Sequence, residues 1–97
     1  MKAIFIAYDQ AYKERIQTLL DRGGCRGFSM FPQVQGRGSV SGDPHYGSHA
    51  WPSMNSAILT IVDDARVAAL LDVLHALDLE TEKLGLRAFV WDIEKTI

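Results

Sequence analysis

The chain has 97 residues, 47% of them hydrophobic and 23% charged, with a formal net charge of -2. That length fits a single domain over 1–97, and the near-balance of charge leaves no basic face to hold a phosphate backbone, so nucleic acid is excluded as a partner. No apolar run approaches the ~20 residues a membrane-spanning helix needs; one cysteine, Cys25, rules out an internal disulfide and points to the cytoplasm.

Residues 3–8 are apolar on both alternating faces, Ile4, Ile6 and Tyr8 on one and Ala3, Phe5 and Ala7 on the other. A strand of that kind is covered on both sides. Asp9 is suited to cap the helix that follows, where Tyr12, Ile16, Leu19 and Leu20 recur at helical spacing. Gly23 and Gly24 stop this helix. A second strand is predicted over 27–35, and Pro32 inside it marks an edge strand or a bulge because it lacks a backbone donor.

The segment 36–52 is long, punctuated by glycine, and carries Arg37, Asp43, His45, Tyr46, His49 and Trp51. A loop of that length is functional or disordered far more often than it is filler. A third strand follows over 55–62, with Asn55 turning or capping the chain at its entry. Asp63 and Asp64 then cap a second helix whose stripe is Val67, Leu70, Leu71, Leu74 and Leu77, with His75 at the core edge. A polar connection, 80–85, leads to a last strand over 86–93 centred on Phe89, Val90 and Trp91.

The order β-α-β-loop-β-α-β predicts an α+β, ferredoxin-like βαββαβ sandwich: a four-stranded antiparallel sheet with both helices on one face and the first and third strands central. Two helices cover only one sheet face. The alternation in the first strand leaves the second face apolar as well, which predicts a partner surface, most simply further copies of the chain.

The residues Gly27-Phe28-Ser29-Met30-Phe31-Pro32-Gln33-Val34-Gln35-Gly36-Arg37-Gly38 are similar to the second strand of PII-like signalling proteins running into their mobile T-loop, and Leu86-Arg87-Ala88-Phe89-Val90-Trp91-Asp92-Ile93-Glu94 is similar to their last strand. CutA-like proteins share the trimeric architecture and compete structurally. The resemblance implies a ferredoxin-like homotrimer of the nitrogen regulatory P-II kind. Such a protein binds a small-molecule effector at subunit clefts made by 36–52 and 80–87, and passes the signal through the T-loop-like segment to a regulated protein, a membrane transporter or an enzyme. Ligand contacts fall on Gly36, Arg37, Gly38 and Arg87, and partner contacts on Asp43, Tyr46 and Trp51. The chain departs from nucleotide-binding members at Ser39-Val40 and in Glu80-Thr81-Glu82-Lys83-Leu84-Gly85, where acids would repel phosphate, so the effector stays open between a nucleotide and another small molecule. Tyr46, flanked by His45 and Gly47 in a shorter loop, is not assigned the family's tyrosine modification.

A second reading is metal binding of the CutA kind, with Cu or Zn held by His45 and His49, completed by Asp43, Cys25 or a neighbouring subunit. An enzyme is the weakest reading, since no nucleophile–base pattern is complete. Arg26 beside Cys25 is placed to lower the thiol's pKa, but with no base nearby Cys25 reads as structural.

Overall fold

The computed structural model of the protein describes residues 1–37, 40–50, 53–80 and 85–97. Six regular elements follow one another: β1 (Lys2–Asp9), α1 (Lys13–Arg22), β2 (Phe28–Val34), β3 (Asn55–Val62), α2 (Val67–Glu80) and β4 (Arg87–Asp92), with short 3-10 turns at Gln10–Tyr12 and Asp64–Arg66 leading into the helices. The sheet is antiparallel in the order β2-β3-β1-β4, so the two most apolar runs are central, as the alternation predicts.

One face of the sheet carries the core. Ile4, Ile6 and Tyr8 of β1 and Ile58 and Val62 of β3 pack against Tyr12 of the first 3-10 turn, Ile16 and Leu20 of α1, and Leu70, Leu74 and Leu77 of α2. Two polar side chains of β3 on this face are buried but partnered: Ser56 Oγ donates to Pro32 O at 2.7 Å and Thr60 Oγ1 to Gly27 O at 2.8 Å. The Thr60 bond holds the chain just ahead of edge strand β2 and the Ser56 bond holds it at Pro32, which cannot donate, and the β2–β3 register shifts between Phe31 and Val34. Pro32 therefore marks both an edge strand and a bulge.

The opposite face is open. The register puts Ala3, Phe5, Ala7, Leu59, Ile61, Phe31, Phe89 and Trp91 on it, and Phe31, Ile61, Phe89 and Trp91 are 44% to 58% exposed. Large side chains in a row on a sheet face form the sort of patch that a protein surface rarely leaves bare.

Asp9 and Asp63 divide. Asp9 Oδ1 accepts from Ala11 N at 2.8 Å, as a cap should, whereas Asp63 occupies the cap position with no side-chain hydrogen bond. Its neighbour Asp64 instead pairs with the N-terminal ammonium at 3.0 Å, which holds the Asp64 carboxyl below its usual range. His75, expected at the core edge, is exposed, because the buried stripe of α2 runs through Leu70, Leu74 and Leu77. Among the described residues no helix is long and apolar enough to cross a membrane.

Candidate functional site at the loop end of the sheet

Strand direction gathers the predicted ligand residues at one end of the sheet. Val34 of β2 pairs with Asn55 of β3, Asn55 with Asp9 of β1, and Ala7 of β1 with Arg87 of β4. Gly36 and Arg37, just beyond β2, therefore share an end with Arg87. They do not share an edge: β2 and β4 flank the sheet, and three strand spacings of ~4.8 Å separate them by about 14 Å within one chain.

The base of the long segment is ordered, where the composition suggested a loop free of secondary structure. Gly36 N donates to His45 O at 3.0 Å and His45 N to Gly36 O at 2.7 Å, a one-residue antiparallel bridge. Tyr46 bridges Met54 on its other side, Gln35 Nε2 donates to Tyr46 O at 3.0 Å, and Gly47 N donates to Ser53 O at 2.8 Å. Gln10 N, leaving β1, donates to Met54 O at 2.9 Å. The segment thus folds back so that 45–46 runs between the outgoing and returning chains. Gly47 turns the chain with φ +61°, a conformation that favours glycine.

His45 is buried at 2% exposure, beside Asp9 at 6% and Asn55 at 4%. Its Nδ1 lies 2.5 Å from Asn55 Oδ1 and 3.5 Å from Asp9 Oδ2. Both are acceptors, so Nδ1 carries the hydrogen and donates. Arg37, Asp43, Tyr46 and His49 are exposed, while Gly38 and Trp51 lie outside the described residues. For the metal reading, the geometry gives His45 two hydrogen-bond acceptors and leaves His49 at the surface. Among the described residues no group of three or more His, Cys, Asp or Glu gathers to hold a metal ion.

At the other edge, Arg87 Nη1 lies 2.7 Å from Leu86 O and 3.5 Å from Asp78 Oδ2 of α2. The guanidinium stands over a cavity of about 290 Å³ between α2 and β4, floored by Leu71, Leu74 and Leu86 and rimmed by His75 and Asp78. Among the described residues, Asp78 Oδ1 is buried without a hydrogen-bond partner. Arg87 is thus held by a carboxylate and a carbonyl and still has unused donors. Glu80, expected to repel an anion, is occupied: Arg15 grips it in a fork at 2.9 and 3.1 Å and holds its carboxyl below the usual range. The rest of the connection, 81–84, lies outside the described residues.

Cys25 is a buried free thiol. Burial pushes its pKa up, and the cation acting against that shift is Arg66, across the fold, rather than the adjacent Arg26.

Sequence reasoning missed the company His45 keeps. Asp9 was legible as a cap and Asn55 as a strand entry, and nothing local links either to His45. The available signal was register: pairing the two most apolar runs end to end sets Asp9 directly opposite Asn55.

The structure of the nitrogen regulatory PII-like protein CPII from Thiomonas intermedia K12 bound to ADP and bicarbonate is 27% identical, with a TM-score of 0.76 over 95% of this chain and 84% of that one. The apo form of CPII is 24% identical, with a TM-score of 0.72 over 95% and 87%. A PII-like signalling protein from Thermus thermophilus shares the fold at 21% identity and a TM-score of 0.67, over 95% and 85%. No curated protein sequence matched. The profile described as Nitrogen regulatory protein P-II matches residues 1–97, from the first strand through the loop to the last, and this chain belongs to that family.

Proposed function

We propose that this protein is a ligand-sensing regulator that works as a homotrimer, binding an adenine nucleotide together with bicarbonate or a similar small carboxylate in the clefts between copies. The observation that carries the reading is the placement of Gly36–Arg37 and Arg87 at one end of the sheet but on opposite edges. Neither edge makes a site alone, and a cleft joining the β2 edge of one copy to the β4 edge of the next brings both to one ligand. The open face of Phe31, Ile61, Phe89 and Trp91 supplies the apolar contact that holds such copies together.

The chemistry suits an anion. Backbone N–H groups around Gly36 and the guanidinium of Arg37 approach from one copy, and Arg87 offers its unused donors from the other. Glu80, neutralised by Arg15, does not oppose the charge. That CPII has been captured with ADP and bicarbonate supports these ligands for a relative of the same fold. Ligand contact at Gly36 and Arg37 then biases the exposed part of 36–52, which carries Asp43 and Tyr46 to a protein partner.

Isothermal titration with ADP, with and without bicarbonate, tests the reading. Saturable binding to the native protein that Arg87→Ala weakens by about tenfold or more is the expected result. Absence of heat from ADP, AMP and bicarbonate in any combination removes the proposal.

A further inference from the structure

Three polar side chains distant in sequence meet in a buried cluster at the foot of the ligand loop. Asp9 ends β1, Asn55 opens β3, and His45 belongs to the loop itself. Buried polar groups cost free energy unless they find partners, and these three find one another. We propose that Asp9, His45 and Asn55 form a latch that holds the loop base against the sheet end and so presents Gly36 and Arg37 to the ligand, an assignment that rests on the reading above for the ligand's position.

The connectivity makes the coupling direct. His45 is joined to the sheet through its side chain, by Nδ1 to Asn55 and Asp9, and to Gly36 through its backbone, by two hydrogen bonds. Gly36 also packs near the Asn55 amide: a Cβ placed there would come within 3.3 Å of Asn55 Nδ2. Release of the imidazole frees the His45 backbone from the sheet end and so loosens the two hydrogen bonds that fix the Gly36 backbone. No chain of intermediate residues is needed, since the latch and the expected ligand contact share the Gly36–His45 bridge.

Two states follow. With the latch closed, His45, Asp9 and Asn55 satisfy one another in the interior. With it open, each returns to water and regains its hydration, so the gap between the states is small compared with unfolding. A ligand that grips the Gly36–Arg37 backbone binds the closed state better and shifts the population toward it. By reciprocity, weakening the latch lowers apparent affinity by the fraction of molecules left closed. His45, Asp9 and Asn55 are positioning residues in this account and do not touch the ligand.

Amide hydrogen exchange on His45→Ala and His45→Asn, paired with ADP titration, tests the latch. Asn places an N–H where the Nδ1 of His stands. His45→Ala is expected to lose protection at Gly36, His45 and Gly47 while the amides of β1 and β3 stay protected, and to weaken ADP by about tenfold or more; His45→Asn is expected to restore both. Should His45→Ala fail to fold, the isosteric Asp9→Asn is read in the same way. Protection retained at those three amides overturns the latch, and so does protection lost with ADP affinity unchanged. The exchange arm needs no ligand: if the native protein does not bind ADP, the functional reading fails while exchange still decides whether the latch exists.

Discussion

Gly36 and His45 exchange both of their backbone hydrogen bonds, at 3.0 and 2.7 Å, across a gap of nine positions in sequence. This one bridge turns a 17-residue stretch read as open loop into a shorter excursion standing on a fixed base. It also explains why a polar segment can hold a buried histidine: the backbone of His45 is satisfied by Gly36 and its ring by Asn55 and Asp9.

The open sheet face should carry the assembly. Phe89 and Trp91 are the large side chains of β4 on that face, and both are exposed in the single chain. Replacing both by Lys is expected to give a monomer in native mass spectrometry with an unchanged far-ultraviolet circular dichroism spectrum, because neither contributes to the helix-side core. A native mass that does not fall would show that the copies associate elsewhere.

Gly24 should not tolerate a side chain. Its φ is +74°, and a Cβ there would collide with the guanidinium of Arg66, which donates to Gly23 O at 2.8 Å. Gly24→Ala is expected to destabilise the fold by about 1–2 kcal/mol from the backbone alone, with a further loss as Arg66 is displaced. Urea denaturation measures it; Gly27→Ala, where a Cβ meets nothing within 4 Å, is the control.

Alkaline pH should weaken the fold ahead of any acidic ligand chemistry. Burial raises the Cys25 thiol, opposed by Arg66, and raises the Tyr8 phenol, opposed by Ser56. In both, the folded state holds its proton more tightly than the unfolded chain. The stabilising contribution is complete below the unfolded values, about 8.5 for a thiol and about 10 for a phenol, and is lost as pH rises from there through the folded values. Denaturation midpoints are expected to be flat between about pH 6 and about pH 8 and then to fall. Cys25 should also react with a disulfide reagent at about pH 8 only as fast as the protein opens, a rate that denaturant increases steeply.

Much of the architecture was legible because it depends on local patterns. The run Asn55–Val62 is apolar enough to declare a central strand with both its ends, and Pro32 declared an edge strand or a bulge through its missing N–H, of which the fold has both. What depended on distant partners was not legible. Asp63 and Asp64 look alike in sequence, yet Asp64 is drawn to the N-terminus and Asp63 is left without a capping bond. The charge nearest Cys25 in effect is Arg66, which is 41 positions away and not the adjacent arginine. His45 and His49 have metal-like spacing, but one points into the sheet end and the other lies at the surface, a distinction set by the Gly36–His45 and Tyr46–Met54 bridges and not by the four-residue interval.

In the proposed assembly one ligand site is built from two copies, Gly36–Arg37 from one and Arg87 from its neighbour. Mixing subunits shows whether the site is shared. Arg37→Ala and Arg87→Ala proteins are each prepared, shown to bind ADP poorly, then unfolded together and reassembled. At an interface where an Arg87→Ala copy supplies Arg37 and an Arg37→Ala copy supplies Arg87, the site is whole again. The account predicts that the mixed assembly regains ADP binding at native affinity in a fraction of its sites, while each variant reassembled alone does not. Mixed assemblies that form, by native mass spectrometry, yet bind ADP no better than the two variants would contradict a site shared between copies.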